Sequence, residues 1–431
     1  MKFRLLPLTS GISAHDVFQS QPSLFAALLE DPQQAGLHIL ASAAGESQRF
    51  DVDDPQALTA WHQLASQRQA NDAGIIGIQH VFYAAYEAVH WLESLEPAKT
   101  TLLGPALFLH QPAWSICFDM AQQQIHLAAD DEAQLDSLVA MLADVAPHTP
   151  TSHPPLLASD TIAEHGDAYR QHVEQVKRYI VAGDVFQVNI ARFWHAPLSV
   201  QHLSTLYADL RRCNAAPFAA FFRAADMTIL SSSPERLFHI TADGCINTRP
   251  IAGTRRRGKG DDDDDMREEL LLSEKEQAEH IMLVDLERND LGRVCVPGSI
   301  EVNERMVIER YATVQHIVSN VRGQLQQGYD VVDVFRALFP GGTITGCPKV
   351  RCMEIIQQLE PQARGPYTGT LGYMTYDGRC DCNILIRTFW HQDDTLHWAA
   401  GAGIVADSIA EMEYQETNHK VAGLLAALEQ K

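Results

Sequence analysis

The stretch "GPYTGTLGYMTYDGRCDCNILIRTFW" runs from Gly365 to Trp390, and "LHWAAGAGIVADS" follows it from Leu396 to Ser408. Short apolar runs alternate there with turn residues, a pattern typical of antiparallel strands joined by tight connections. The segment therefore predicts three antiparallel strands near the end of the chain.

Further strands and helices are predicted upstream of this segment. "DVFQVNIARFW" and "MTILSSSPERLFHI" indicate strands, and "DGCINTRP" indicates a hairpin return. Residues 329–361 predict a helix, a glycine turn and a second helix. Helical spacing of apolar residues predicts four more helices, and their sequences are "DEAQLDSLVAMLADV", "HGDAYRQHVEQVKRYIVAGD", "SEKEQAEHIMLVDLERNDLGRV" and "EMEYQETNHKVAGLLAALEQ". The third begins with a predicted capping box, Ser273 and Glu276, after a solvated acidic loop, "GKGDDDDDMREE".

Composition narrows the function classes. The chain has 431 residues, 46% hydrophobic and 20% charged, with a formal net charge of −22. Such an acidic chain lacks the basic face that non-specific nucleic-acid or anionic-membrane binding requires. No apolar run reaches the roughly 20 residues of a membrane span, and the eight cysteines form no CxxC pair. We expect a soluble cytoplasmic protein with free thiols and no nucleic-acid or membrane partner.

Carboxylates on two predicted helices form a candidate metal site. Glu413 and Glu416 lie three residues apart on the last helix and therefore share one face. Glu279 lies on the helix that begins near residue 273. Carboxylates that converge from two helices suit Mg²⁺, which prefers oxygen ligands. The spacing alone is equally consistent with ordinary solvated acids on helix faces.

Two glycine-rich turns offer backbone donors for an anion. "FPGGTITGCPKV" precedes Lys349 at a helix start, and "AAGAGIVADS" places Gly401 and Gly403 after a strand. Arg387, a half-buried strand arginine, needs an anionic partner. His316 lies in an apolar run, where a lone histidine is usually a satisfied core residue. Each turn could equally be only a turn.

The order of these motifs carries a family resemblance. The sequence resembles the chorismate-utilising enzymes, and most closely their aminating members, over about residues 165–425. The motifs that carry the resemblance are "GDVFQVN", "SSSPERLF", "RPIAGTRRRG", "EHIMLVDLERNDLGR", "HIVSNVRG", "PGGTITGCPKVRCMEII", "LGYMTYDG", "IRT", "GAGIVADS" and "EYQETNHK". The resemblance implies an α/β (α+β) sandwich of two large, mostly antiparallel β-sheets with helices outside. It also implies an N-terminal region over 1–150 and a chorismate-binding catalytic domain over 160–426.

The resemblance assigns a substrate, a metal and their ligands. The substrate would be chorismate, whose ring carboxylate would be held by Mg²⁺ and by backbone amides of the second glycine turn. The Mg²⁺ ligands would be Glu279, Glu413 and Glu416. The substrate-binding residues would be Tyr373, Arg387, Gly401, Ala402, Gly403 and Lys420.

The resemblance also assigns catalytic positions. His316 would be the acid–base group, and Thr343 and Lys349 would lie at the first glycine turn beside the substrate. Hydroxylating relatives carry a water-activating lysine where this chain has Gln187, an amide that cannot act as a general base. Gln187 therefore favours amination. Glu235 of "SPER" would assist the step.

The product depends on Ala252 in "RPIAGT". The aminating relatives make 4-amino-4-deoxychorismate or anthranilate, and the best-known enzymes of the first kind carry a covalent lysine at this place. Ala252 cannot form such an adduct and matches the anthranilate enzymes, whereas Asn189 in "FQVN" matches the 4-amino enzymes. We expect 4-amino-4-deoxychorismate, with the methyl group of Ala252 leaving space for ammonia, and anthranilate as the alternative. Ammonia is expected from a separate glutamine amidotransferase subunit in a heterodimer, because no glutaminase constellation is found in the chain.

Overall fold

The computed structural model describes most of the chain. The described residues are 1–8, 11–33, 36–67, 74–96, 101–149, 153–156, 161–163, 166–256, 274–310 and 314–429, and for 252–256, 274–275, 310 and 314–315 only the backbone is described. The predicted acidic loop over 258–269 and the capping residue Ser273 lie outside the described residues.

The first of two sheets has twelve strands in the described part of the chain, and every neighbouring pair is antiparallel. Its order is β1-β8-β7-β3-β2-β11-β12-β21-β22-β10-β18, with β9 beside β10. The strands are β1 Lys2–Pro7, β2 Phe25–Glu30, β3 Leu37–Ser42, β7 Trp114–Asp119, β8 Gln124–Ala129, β9 Ile162–Ala163, β10 Gln187–Pro197, β11 Phe218–Ala224, β12 Met227–Ser233, β18 Gly346–Cys347, β21 Thr388–Gln392 and β22 Thr395–Ile404.

The second sheet is also antiparallel and has ten strands among the residues described. Its order is β15-β17-β14-β13-β20-β19-β5-β6-β4, with β16 beside β17. The strands are β4 Gly45–Phe50, β5 Ile78–Ala84, β6 Leu107–Pro112, β13 Arg236–Ile240, β14 Cys245–Thr248, β15 Ile251–Arg256, β16 Glu301–Arg310, β17 Val314–Gln324, β19 Thr370–Thr375 and β20 Cys380–Ile384.

Nine helices lie within the described ranges. They are α1 Ala14–Ser20, α2 Ala57–Ala65, α3 Glu132–Asp144, α4 Gly166–Val181, α5 Leu203–Cys213, α6 Glu274–Leu291, α7 Val331–Leu338, α8 Lys349–Leu359 and α9 Ala410–Glu429. The predicted helices are confirmed, and local chemistry explains their ends. Asp131 caps α3 by accepting a hydrogen bond from the Gln134 amide at 2.8 Å. Gly183, with φ of +82°, follows α4 in a conformation that favours glycine.

Three hydrophobic cores account for the layers. One core contains Ala27 and Phe222 of the first sheet together with Tyr83 of the second, and therefore lies between the sheets. A second core packs α1, α3, α5 and α9 on the outer face of the first sheet. A third packs α2, α7 and α8 on the second sheet. Each fully buried Phe or Leu contributes about 1.5–3 kcal/mol to this packing. The predicted sandwich of two antiparallel sheets with outer helices is confirmed.

Two of the places where the chain passes from one sheet to the other lie side by side. The first crossing joins β12 to β13 through Glu235, and the second joins β20 to β21 through Arg387. The Ser232 amide donates to the Arg387 carbonyl at 3.1 Å, and the Ile384 amide donates to the Glu235 carbonyl at 3.0 Å. The expectation of three strands over 365–408 is wrong: four strands form there, two in each sheet, because the chain changes sheets at Arg387.

Strands from the first 150 residues enter both sheets. In the first sheet β2 pairs with β11, and in the second β5 pairs with β19. Both sheets are therefore completed by distant parts of the chain. The division into 1–150 and 160–426 stays a prediction, and residues 150–152 and 157–160, at the boundary between the two ranges, lie outside the described part.

Candidate active site

The first group of site residues lies where β10 and β22 pair. Asn189 of β10 is opposite Gly403 of β22, and the Gln187 Nε2 donates to Glu279 Oε1 of α6 at 3.0 Å. A Cβ atom at residue 403 would lie 2.3 Å from the Gln187 Nε2. Gly403 is therefore required for the close approach that holds this amide against Glu279.

Gly401, two residues earlier on β22, is surrounded by polar groups. A Cβ atom there would lie 2.5 Å from Asn189 Oδ1 and 2.9 Å from the Tyr367 hydroxyl. Its carbonyl accepts a hydrogen bond from Lys420 Nζ of α9 at 2.8 Å. Between the two glycines, Ala402 is fully buried opposite Ile190. Both predicted glycines and Ala402 thus lie on one strand segment, and Lys420 contacts that segment from α9.

Tyr367 is the tyrosine at this segment, and sequence reasoning missed it. Burial raises the pKa of its phenol, and the Gly401 backbone opposes that rise. Tyr373 is opposite Val81 and Asp381 in the second sheet. Burial raises its pKa, and the Asp381 carboxylate adds to the effect. The described contacts of Tyr373 therefore lie away from Gly401, and its assigned role stays a prediction.

The three predicted metal ligands come from two helices, Glu279 from α6 and Glu413 and Glu416 from α9. Glu416 forms an ion pair with Lys420 at 2.8 Å, and the charges of Glu413 and Glu416 add to the effect of burial in raising the pKa of Tyr169. Among the described residues, ligand atoms of three side chains come within 4.8 Å of one another only at His62, Asp330 and Asp333.

The group of His62, Asp330 and Asp333 is explained by helix capping. Asp330 and Asp333 form the capping box at the start of α7. The three glutamates do not form a closed ligand cluster, although all their ligand atoms are oxygens, which suits Mg²⁺.

A second group of site residues lies at the sheet crossings. Thr343 Oγ1 donates to Glu235 Oε1 at 2.7 Å. Burial raises the pKa of Glu235 to about 7, whereas the Thr343 hydroxyl and the charges of Lys420 and Arg387 oppose the rise. Because Lys420 also binds the Gly401 carbonyl, it joins this group to the glycines of β22.

Arg387 adopts a backbone conformation that is unusual for a residue with a side chain. Its φ is +50°, and its side chain is half-buried. Conformations of this kind cost about 1–3 kcal/mol and occur often at functional sites. The crossing imposes this conformation and brings the guanidinium into electrostatic range of Glu235.

Lys349 has structural partners. Its Nζ contacts Asp290 Oδ2 at 2.5 Å and donates to the Leu338 carbonyl at 3.1 Å. Its side chain is 11% exposed. The ion pair thus connects the start of α8 to α6, and a direct role for Lys349 at the substrate stays a prediction.

His316 and Ala252 lie on neighbouring strands of the second sheet. His316 is buried, opposite Thr254 of β15 and Glu309 of β16, and Ala252 is opposite Ile317. A register shift between Ala252 and Thr254 marks a bulge at Gly253. The side chain of Ala252 lies outside the described part of the chain. The structure therefore shows only that the backbones of Ala252 and His316 lie on adjacent strands.

Arg364 is a further residue that sequence reasoning missed. Its guanidinium is 1% exposed and donates to the Asn189 carbonyl at 2.8 Å, the Ile344 carbonyl at 3.0 Å and both Glu360 oxygens. It therefore fixes the first glycine turn against β10. A buried arginine between Gln362 and Pro366 gives no periodic signal, and only its proximity to "GPYTG" could have suggested a structural role.

The two-sheet sandwich, the glycines of β22 and the carboxylates of α6 and α9 are the features that the motif resemblance led us to expect. Comparison with known protein families supports the same assignment. The family model described as chorismate binding enzyme matches residues 25–426. The chain belongs to the chorismate binding enzyme family, which confirms the resemblance drawn from its motifs.

Individual relatives carry two different names. The chain is 40% identical over 406 residues to aminodeoxychorismate synthase component 1 of Bacillus subtilis (strain 168), covering 89% of this chain and 84% of the relative. It is also 40% identical over 365 residues to anthranilate synthase component 1 of Thermus thermophilus, covering 83% and 77%. The chain is therefore an enzyme that acts on chorismate. Because it is equally identical to both relatives, their names do not decide between the two products.

Solved structures support the same architecture. Anthranilate synthase component I from Streptococcus pneumoniae TIGR4 superposes with a TM-score of 0.80 at 29% identity, covering 91% of this chain and 92% of the other. The menaquinone-specific isochorismate synthase from Escherichia coli superposes with a TM-score of 0.74 at 21% identity, covering 99% and 95%, and supports the fold alone. No helix in the described ranges is long and apolar enough to cross a membrane.

Proposed function

We propose that this enzyme aminates chorismate to 4-amino-4-deoxychorismate, towards para-aminobenzoate and folate, with ammonia from a separate glutamine amidotransferase subunit. The observation that carries the proposal is the Gln187 amide, which is 6% exposed and bound to Glu279 through its Nε2. A carboxamide cannot take a proton from water at neutral pH. The site therefore suits a nucleophile that is already reactive when neutral, and ammonia is such a nucleophile.

Two buried acceptors support ammonia as that nucleophile. Gln187 Oε1 and Asn189 Oδ1 are buried and have no hydrogen-bond partner among the described residues. Buried acceptors normally have a partner. An ammonia molecule carries three N–H donors and would satisfy such oxygens. The name of the Bacillus subtilis relative supports the 4-amino product, and its designation as a component supports a separate amidotransferase subunit.

The chemistry needs one proton delivered and one removed. Ammonia bonds to the ring carbon, the C4 hydroxyl leaves as water, and the new ammonium loses a proton. Glu235, with a pKa of about 7, can give its proton to the hydroxyl and take one from the nitrogen. Arg387 and Tyr367 would bind the enolpyruvyl carboxylate.

Mg²⁺ would be held by Glu279, Glu413 and Glu416. The donor set consists of oxygens only, which suits this ion, and it comes from α6 and α9. In the structure the three carboxylates do not form a closed cluster, so they would have to draw together around the ion. When bound, Mg²⁺ neutralises the ring carboxylate of chorismate. Lys420 already forms an ion pair with Glu416 and would have to share that carboxylate with the metal.

Anthranilate is a second candidate product, and Ala252 favours it. Without a nucleophilic lysine at this position, ammonia must attack the ring directly, and attack at C2 leads towards anthranilate and pyruvate. The Thermus thermophilus relative carries that name. The 4-amino product is preferred because of Asn189, whose buried amide lies against Gly401.

One assay tests the proposal. The purified chain is incubated with chorismate, Mg²⁺ and ammonium, and the reaction is coupled to 4-amino-4-deoxychorismate lyase. We expect 4-aminobenzoate, and we expect no turnover when glutamine replaces ammonium. Anthranilate fluorescence without 4-aminobenzoate would overturn the preferred product, and glutamine-dependent turnover by the isolated chain would contradict the need for a partner.

A further inference from the structure

The ring of Tyr414 on α9 is contacted by two arginines from different elements. The guanidinium carbon of Arg170 on α4 lies over the ring, 4.1 Å from its centroid, and that of Arg192 on β10 also lies 4.1 Å away. A Cβ atom at Gly166, the first residue of α4, would lie 2.6 Å from Tyr414 Cε2. The ring therefore fits closely against α4 and β10, and cation–π attraction to both guanidiniums favours that position.

Arg192 also binds α9 one turn beyond Tyr414. Its Nη1 donates to Thr417 Oγ1 and to Asn418 Oδ1, both at 2.8 Å. The arginine is only 2% exposed, and hydrogen bonds from a charged donor are stronger than those from a neutral one. Tyr414, Thr417 and Asn418 are spaced i, i+3 and i+4, so they share one face of α9. That face is held against β10.

The predicted site residues of α9 lie on the neighbouring face. Glu413, Glu416 and Lys420 are spaced i, i+3 and i+7, and each residue of an α-helix is turned by about 100° from the one before it. Glu416 pairs with Lys420 at 2.8 Å, and Lys420 donates to the Gly401 carbonyl of β22 at 2.8 Å. A rotation of α9 about its axis would therefore move all three side chains relative to β22.

The strand that holds α9 also carries the buried acceptors proposed for ammonia. Gln187, Asn189 and Arg192 all lie on β10, and Arg192 is opposite Ala400 of β22. The contacts of Arg192 thus set α9 relative to the strand pair that forms the first group of site residues. The proposed chemistry uses neither Arg192 nor Tyr414.

We propose that Tyr414 is a positioning residue for the metal site. Held by Arg170 and Arg192, its ring sets the rotation of α9. That rotation directs Glu413 and Glu416 towards the ion. The inference rests on the proposed function in taking these two carboxylates as Mg²⁺ ligands, and it holds for both candidate products.

Metal binding without turnover tests this inference. The probe is Mn²⁺, with chorismate present and ammonium absent, and the electron paramagnetic resonance signal of free Mn²⁺ gives the Kd. We expect Tyr414→Leu to raise this Kd about tenfold or more, because residues that orient metal ligands affect affinity on that scale. Tyr414→Phe keeps the aromatic face and should bind Mn²⁺ within about twofold of wild type.

Steady-state kinetics separate positioning of α9 from a general loosening of the site. In Tyr414→Leu the KM for chorismate should rise, because the metal holds the ring carboxylate. The KM for ammonium should not change, because its acceptors lie on β10. Tyr179→Leu is the matched control: it removes a cation–π contact with Arg351, at 5.4 Å, near the other end of α4, and it should leave both KM values and the Kd as in wild type.

Three results would overturn the proposal. They are wild-type Mn²⁺ affinity in Tyr414→Leu, an equal loss of affinity in Tyr414→Phe, and a rise in the KM for ammonium as large as that for chorismate. Equal Mn²⁺ affinity in wild type and Glu416→Gln would overturn the metal assignment and this inference with it. Anthranilate as the product would overturn the proposed function and leave the Mn²⁺ comparison valid.

A second variant applies if Tyr414→Leu does not fold. Asn418→Ala removes one of the hydrogen bonds from Arg192 to the same face of α9 and leaves the ring in place. It should also raise the Kd for Mn²⁺ while the KM for ammonium stays constant. An unchanged Kd in a folded Asn418→Ala protein would overturn the proposal.

Discussion

Glu279 is the residue at which two requirements of the site meet. It accepts the Gln187 amide, and it is the ligand that α6 would supply to Mg²⁺. We predict that Glu279→Gln or Glu416→Gln lowers kcat/KM for chorismate about 100-fold or more, because each removes a charged oxygen ligand. The measurement is the steady-state rate with ammonium over a range of Mg²⁺ concentrations.

A neighbouring glutamate supplies the control for that prediction. Glu411 lies on the same helix as Glu416, is exposed and pairs with Arg170 at 2.7 Å. Glu411→Gln should keep full activity. Undiminished turnover in excess EDTA, or wild-type rates in both ligand variants, would refute the metal assignment.

Individual site residues differ in how visible they are in the sequence. Glu279, Gln187 and Gly403 lie inside recognisable motifs, and the structure brings all three together. Tyr367 was missed because it precedes its strand, and two tyrosines follow within ten residues, so only the fold shows which of them reaches Gly401. The burial of Glu287 was not predicted, because acidic residues on a helix usually face solvent, yet this residue is only 8% exposed.

The two glycines of strand β22 have different neighbours and therefore different roles. At Gly403 a Cβ atom would meet the movable end of Gln187 at 2.3 Å, whereas at Gly401 it would also meet the Ile190 backbone carbonyl at 2.7 Å. We predict that Gly403→Ala lowers turnover about tenfold or more by displacing the amide, with little loss of stability. Gly401→Ala should cost about 1–3 kcal/mol of unfolding free energy, because a backbone carbonyl cannot move aside.

Urea unfolding and the ammonium-dependent rate, measured on both variants, check this ranking. Two results would contradict it: Gly403→Ala as the less stable variant, or full activity in that variant.

Helices with a clear apolar periodicity were predictable from the sequence, whereas the connections between elements were not. The helices α3, α4 and α9 follow from apolar spacing, and their observed ends lie within three residues of the predicted segments. The change of sheet at Arg387 left no periodic signal, because apolar residues flank it on both sides, at 384–386 and at 389–390. The pairing of β5 with β19 joins residues almost 300 positions apart and depends on tertiary packing.

The two neighbouring crossings at Glu235 and Arg387 explain why the site lies between the sheets. Each of them places a charged residue, Glu235 or Arg387, where the chain leaves one sheet for the other. The charge of Lys420 of α9 acts on Glu235, and its ammonium donates to the Gly401 carbonyl of β22. Because such groups are buried when the sheets pack, their ionisation is linked to the folding of the entire chain.

Buried carboxyls and buried histidines give the free energy of unfolding opposite dependences on pH. Burial raises the pKa values of Glu87, Glu235 and Glu287 from 4.5 to about 7, 7 and 8. These groups stabilise the folded state fully below pH 4.5, and the contribution is lost as pH rises through the folded pKa values. Burial lowers the pKa values of His80 and His397 from 6.5 to about 3 and 4, so their contribution is lost as pH falls below 6.5.

We therefore predict that the free energy of unfolding decreases as pH rises from 7 to 8. In that window most histidines are neutral in both states, whereas each buried carboxyl removes up to about 1.4 kcal/mol per pH unit until it ionises. Urea unfolding at pH 7, 7.5 and 8 gives the slope. Glu287→Gln should flatten it, and Glu354→Gln, an exposed carboxylate, should leave it parallel to wild type. A free energy that rises across this window would show that these carboxyls are already ionised in the folded protein.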